Sequence, residues 1–411
     1  MNTEDLFRQA LKAKEAYRLE EAVELFRRAL VDADEKRKVV ILHQIGNCFY
    51  LQGRLDEALG HFRESLELAK KVNDKEGIAA NLRNIGLIYQ TKGELDKALE
   101  YHEKALEIAR ELGNKEGEAA NLGNIGLIYQ TKGELDEAVE CLKRALEIDK
   151  ELGNKEGMAR HLGNIGNIYL IRGEQDEALE YMRKVLELTR EIGDKEDETK
   201  ALGNIGLIYM TKGKLDEALK YHQRALEIDE ELGNKEGVAR HLGNIGLIYM
   251  TRGELDEALK YFEKGLKIDE ELGRKEGIAS KLGNIGLIYQ TRGELDKALE
   301  YLERALKITR ELVSKKDEAK ILGNIGLIYH IRGELNKALE YYEKSLEISE
   351  EIGDKRTSAS QLNNIGNVYE LKGDKEKALD YYRHALELFK QLGAKREIKI
   401  VEENIRKLQG K

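Results

Sequence analysis

The chain has 411 residues, 36% charged and 41% hydrophobic, with 69 Lys and Arg against 78 Asp and Glu for a net charge of −9. That apolar content argues against disorder, and the acidic balance argues against a general nucleic-acid binder, which needs a basic face to neutralise phosphate. No stretch approaches roughly eighteen uncharged apolar residues, so no membrane span is expected; Cys48 and Cys141 are too few and too far apart for a disulfide framework or a CxxC-type metal site, and both are expected to be buried as small hydrophobes.

The N-terminal stretch MNTEDLFRQALKAKEAY has no apolar run of signal-peptide length, and a soluble cytoplasmic protein is expected. Residues 3–34 form a divergent first unit, with Tyr17 where later units carry a glycine. Beyond it the sequence copies itself: NLRNIGLIYQTKGELD at 81–96 returns with one change at 121–136. The phrase recurs at Leu202, Leu242, Leu282 and Leu322, with looser versions at Leu42, Leu162 and Leu362, always forty residues apart. Such a period marks a stack of supersecondary units, each too small to bury its apolar face alone.

Residues 114–153 illustrate one unit. Gly113 suits the left-handed position that closes a helix, and Asn114 can cap the next one by accepting a free backbone N–H. From Lys115 to about Thr131, Leu122, Ile125, Ile128 and Tyr129 recur at helical spacing; Gly133 then interrupts, and Leu135, Ala138, Val139, Leu142, Ala145, Leu146, Ile148 and Leu152 form a second stripe. The short connection dictates an antiparallel hairpin, and the small residues Gly126 and Ala138 let its two backbones approach. A bulky residue at either is expected to destabilise the unit. The packing alanines Ala22, Ala58, Ala98, Ala138, Ala178, Ala218, Ala258, Ala298, Ala338 and Ala378 mark ten units over residues 1–394, and residues 395–411 hold a capping helix with Ile398, Val401, Ile405 and Leu408 on one side.

The run Leu122, Ile125-Gly126, Tyr129, Gly133, Ala138, Leu142, Ala145-Leu146 resembles the tetratricopeptide repeat. It departs from that pattern in having Leu for the usual Trp, no Pro, and a unit longer than the standard one; the closing stretch 113–117 is similar to the long repeats of kinesin light chains and Pins-type scaffolds. The resemblance implies an all-α, right-handed superhelical solenoid of about ten hairpins, and peptide or protein binding on its concave face.

What would line that face is the remaining stripe of each first helix. Asn84, Asn124, Asn164, Asn204, Asn244, Asn284, Asn324 and Asn364 occupy one slot in successive units, a row of primary amides able to pair bidentately with peptide groups. With first helices about 10 Å apart and an extended chain rising about 3.3 Å per residue, one clamp would serve roughly three ligand residues. In resembling families such asparagines grip peptide main chain; the competing reading is that each bridges a neighbouring helix. Gly123, Gly163, Gly203, Gly243, Gly283 and Gly323 disfavour the helix by about 1 kcal/mol each relative to Ala, and either clear space for a ligand or are copies of one neutral accident.

Leu87, Leu127, Leu207, Leu247, Leu287 and Leu327, replaced by Asn47, Asn167 and Asn367 elsewhere, form an apolar floor or pack on the adjacent first helix. Arg160, Lys200, Arg240 and Lys320, with Arg83 one turn along, make a basic rim that would steer acidic peptides, unless neighbouring Glu neutralises it. Gln90, Gln130, Met210, Met250, Gln290 and His330 vary in a further groove slot.

Chemistry is not indicated. The recurring GNIG lies inside a helix, no phosphate-loop, HExxH or EF-hand pattern occurs, and the histidines are scattered, so neither cofactor nor metal is expected. The acids Glu134, Asp136, Glu137 and Glu140 read as solvated faces balanced by bases three or four residues away. Two functional classes stand: a scaffold gripping an extended, acidic segment of a partner, as a monomer or with weak self-association, or a structural or self-associating solenoid with no dedicated ligand. An enzyme is not expected.

Overall fold

A computed structural model describes residues 2–410, which hold 21 α-helices and no strand. In chain order the helices pair as α1 (Thr3–Glu15) and α2 (Leu19–Val31), α3 (Glu35–Leu51) and α4 (Leu55–Lys71), α5 (Lys75–Thr91) and α6 (Leu95–Glu111), α7 (Lys115–Lys132) and α8 (Leu135–Leu152), and α9 (Lys155–Arg172) and α10 (Gln175–Ile192). There follow α11 (Lys195–Thr211) and α12 (Leu215–Leu232), α13 (Lys235–Arg252) and α14 (Leu255–Leu272), α15 (Lys275–Thr291) and α16 (Leu295–Glu311), α17 (Lys315–Ile331) and α18 (Leu335–Glu351), α19 (Lys355–Leu371) and α20 (Lys375–Gln391), and finally α21 (Lys395–Leu408). Two compact units, Met1–Ile208 and Tyr209–Lys411, divide the chain.

Local sequence sets these boundaries. The Asn114 side chain accepts the Gly117 N–H at 2.8 Å, and Asp74 caps α5 in the same way through Gly77. Gly133 closes α7 at φ 83°, a conformation that costs a β-carbon about 1–2 kcal/mol. The same turn position falls on Tyr17 at φ 59°, and the turn that closes the second helix, held by Gly153 and Gly273 elsewhere, falls on Val313 at φ 55°. Val313 is 77% exposed, so little packing offsets its strain. Val313→Gly is therefore expected to stabilise the second unit by about 1 kcal/mol, visible as a higher urea midpoint; an unchanged or lower midpoint would show that the turn is unstrained.

Within a hairpin the first helix lies on the second through a glycine. A β-carbon on Gly126 would stand 2.8 Å from Leu142 Cγ and 3.2 Å from the Ala138 carbonyl oxygen, and one on Gly246 would stand 2.8 Å from the Phe262 ring. Leu142 and Phe262 are fully buried as a result, each contributing about 1.5–3 kcal/mol of transfer free energy. Tyrosines from the two helices stack beside this seam, with Tyr249 and Tyr261 at 5.4 Å and Tyr289 and Tyr301 at 5.4 Å between centroids. At the C-terminal end α21 buries Val401 next to α20, near Phe389 and Ala394, and leaves Ile400 46% exposed.

Two sequence expectations are corrected. Cys48 is buried, but Cys141 is only half-buried because its position on α8 lies at the edge of the core. The helix acids are not all balanced along their own helix: Asp136 pairs with Arg172 at 2.5 Å, thirty-six residues on, and Lys155 with Glu191 at 2.9 Å, closing the ends of adjacent helices. Exposed pairs of this kind contribute at most about 1 kcal/mol each. Among the described residues no helix is long and apolar enough to cross a membrane.

Candidate functional site

All eight asparagines of the repeated slot are half-buried, each on a first helix. Three are engaged internally. Asn84 donates to Asn47 Oδ1 at 2.9 Å and approaches His43 Nε2 at 3.4 Å, Asn204 reaches Met182 Sδ at 3.8 Å, and Asn364 donates to Gln361 Oε1 at 3.4 Å. Asn124, Asn164, Asn244, Asn284 and Asn324 have no hydrogen-bond partner among the described residues. The row is thus structural at some positions and open at others, with three consecutive open amides on α13, α15 and α17 of the second unit.

That stretch is also concave. A cavity of about 480 Å³ lies between α15 and α17, bordered by Asn284, Asn324, Leu287 and Gly283, and a smaller one of about 190 Å³ lies between α13 and α15, bordered by Asn244, Leu247 and Arg240. Ser280 and Asn284 border both. Leu247 and Leu327 pack partly against the core, and Leu207 is 43% exposed, so the leucine row of Leu127, Leu207, Leu247 and Leu287 is in part packed and in part open.

The basic rim is uneven. Lys200 bonds Asp197 at 2.7 Å and Lys320 lies 3.8 Å from Asp317, both within their own helices. Arg240 is held only loosely, 4.0 Å from the buried Asp229, and Arg83 and Arg160 have no carboxylate at ion-pair distance among the described residues. His330, expected in the groove, packs edge-on to Tyr342 of its own hairpin at 6.4 Å between ring centroids.

Part of the glycine row is an internal device. A β-carbon on Gly123 would stand 2.6 Å from His161 Cε1, and one on Gly323 would stand 2.5 Å from Gln361 Nε2, so these glycines make room for a side chain of the next hairpin. Gly283 differs, since a β-carbon there meets nothing within 4 Å.

Sequence reasoning missed a set of buried polar side chains in each unit. His161 Nε2 lies 3.1 Å from Asp149, His241 Nε2 lies 3.4 Å from Asp229, and Lys281 Nζ lies 2.5 Å from Asp269, all essentially buried. The His222 and His241 Nδ1 atoms are 3.2 Å apart, and His102 Nδ1 faces Asn121 Oδ1 at 3.3 Å. Burial drives these imidazoles toward the neutral form: His102 and His222 fall to about 4 and His241 to about 3, with Arg240 lowering the latter two further and the Asn121 hydrogen bond partly opposing the shift in His102. Burial and Arg160 take His161 to about 4, with Asp149 pulling the other way. The signal was legible as a core slot that holds Asp149, Asp229 and Asp269 but Ala69, Ala109, Thr189, Thr309 and Ser349 in other units. No group of three metal-ligating side chains converges among the described residues.

Antiparallel hairpins with a glycine seam, stacked by a forty-residue repeat, define a helical repeat protein. The sequence profile described as Tetratricopeptide repeat matches residues 37–111, 116–191, 197–271, 277–330 and 317–391, and the chain belongs to that family. Among solved structures it is similar to a STAND protein with a tetratricopeptide repeat sensor from Pyrococcus horikoshii, at 18% identity and TM-score 0.63 over 91% of this chain and 56% of that one. The apo quorum sensor NprR from B. thuringiensis gives 17% identity and TM-score 0.61 over 82% and 98% of the two chains. Aspartyl phosphate phosphatase F from Bacillus subtilis gives 16% identity and TM-score 0.56 over 84% and 93%. These likenesses concern the fold. No curated protein matches the chain significantly.

Proposed function

We propose that the asparagine face of α13, α15 and α17 binds an extended peptide segment of a partner protein. The observation that carries this reading is the run of unpaired amides Asn244, Asn284 and Asn324 over a continuous concavity. Each amide offers two donors and an acceptor, the complement of a peptide group, and the apolar floor supplies contact area that amides alone lack. Support comes also from the similar folds of NprR, named a quorum sensor, and of the STAND protein, whose repeats are named a sensor. Attraction of acidic segments rests on Arg240 in this unit, because Lys320 is offset by Asp317. In the first unit Asn84 is already bonded to Asn47, which favours a structural role there.

The test is a peptide array probed with the parent chain and with the Asn244→Ala, Asn284→Ala, Asn324→Ala triple variant. Each lost hydrogen bond contributes about 1 kcal/mol, so the triple change is expected to weaken binding about a hundredfold while helicity and melting are retained or raised. Equal binding by both proteins would assign the amides a structural role, and binding by neither would assign the chain a spacer or assembly function.

A further inference from the structure

We infer that the space between α15 and α17 is a subsite for one long basic side chain, arginine or lysine, of the bound peptide; the inference rests on the peptide-binding reading above. Its origin is a missing plug. At several inner glycines a side chain from the following hairpin comes close, with His161 filling the space over Gly123, Lys281 within 3.7 Å of a β-carbon on Gly243 and Gln361 filling the space over Gly323, whereas Gly163 meets only Val185 of its own hairpin at 3.9 Å. At Gly283 the corresponding residue is Ile321, which turns into the apolar core at 7% exposure and leaves the slot open.

The second-helix residue beneath it is Thr309 where the preceding hairpin has Asp269, and its hydroxyl donates to the Ala305 and Leu306 carbonyl oxygens of its own helix. The result is the 480 Å³ cavity, inside the range of about 300–1,000 Å³ typical of small-ligand sites.

Charge selects the guest. The cavity lining carries two carboxylates, Glu276 and Asp317, against one ammonium, Lys320. Glu276 has no hydrogen bond or ion pair among the described residues. Asp317 accepts the Ser314 hydroxyl at 2.8 Å and has Lys320 only at 3.8 Å, so both carboxylates can receive further donors. The rest of the lining is mixed: Ala279, Leu287, Leu312, Ile321 and the bare Gly283 backbone give an apolar strip beside Ser280, Asn284, Thr309, Ser314 and Asn324. A lysine or arginine matches this layout, its aliphatic stem covering the apolar strip and its head reaching the carboxylates. An acidic guest would place a third carboxylate beside two, and a purely apolar one would leave Glu276 and Asp317 unmatched.

The probe is a positional-scanning library of acetylated octapeptides, each pool fixing one residue at one position and randomising the rest. Pools with Arg or Lys at one position are expected to bind the parent chain about tenfold or more better than pools with Ala, Leu or Glu there. A β-carbon on Gly283 meets nothing within 4 Å, so Gly283→Met is expected to occupy the slot, gain helix propensity and melt no lower than the parent while abolishing that preference. Glu276→Gln with Asp317→Asn should abolish it without filling the slot. A preference for apolar or acidic pools, or an Arg/Lys preference that survives Gly283→Met, overturns the subsite while leaving the groove reading intact. Binding of no pool by the parent chain overturns both.

Discussion

Lys281→Met is expected to destabilise the second unit by about 3 kcal/mol, because it strands the Asp269 carboxylate, which is fully buried, without the ammonium that bonds it at 2.5 Å. Arg274 at 3.3 Å remains as a partner and keeps the loss at the lower end of the usual 3–5 kcal/mol for a broken buried pair. The neighbouring hairpin shows how the site can be built dry, with Thr309 and Ile321 in the equivalent positions. The double change Asp269→Thr with Lys281→Ile is accordingly expected to recover the parent stability or exceed it. Urea unfolding of the parent, the single and the double variant decides the matter: a single variant as stable as the parent, or a double variant less stable than the single, would contradict the buried-pair account.

Acidification is expected to have the second large effect. His102, His222 and His241 have folded-state pKa values near 4, 4 and 3 against an unfolded value near 6.5, so between pH 6.5 and about 4 the unfolded chain binds more protons than the folded one. Their contribution is complete above about pH 7.5 and declines as pH falls through 6.5, reaching a loss of about 2 kcal/mol per site at pH 5.

The groups facing these rings are Asn121 and the charge of Arg83 for His102, and Arg240 and Asp229 for the His222 and His241 pair. His102→Leu imitates Leu142 and Leu302, which fill the same slot fully buried, and should reduce the first unit's share of the dependence, leaving the part carried by His161. Thermal melts from pH 7.5 to 5 report the outcome; melting that is independent of pH would show that these imidazoles charge without cost.

Much of the fold was legible in the sequence because the fold is local. The apolar period, the turn glycines and Asn114 fix each hairpin within its own forty residues, and Gly126 announces the seam against Leu142. The site was legible only in part. The asparagine slot is visible as a column, yet whether a given amide is open depends on what the adjacent helix presents: Asn47 and His43 beside Asn84, but no partner beside Asn284. The purpose of Gly123 likewise depends on His161, thirty-eight residues away. The buried His and Asp side chains escaped notice because they lie on different helices, in slots that elsewhere hold Ala, Thr or Leu.

Three amides carry the proposed peptide grip, and side-chain NMR observes them directly. With asparagine labelled by ¹⁵N and its resonances assigned by single substitution, the best-binding octapeptide from the library is titrated into the chain. The account predicts that the Asn244, Asn284 and Asn324 side-chain amide signals shift together and saturate at one common ratio, while Asn84, tied to Asn47, stays in place. Saturable binding that leaves those three signals unmoved would contradict it.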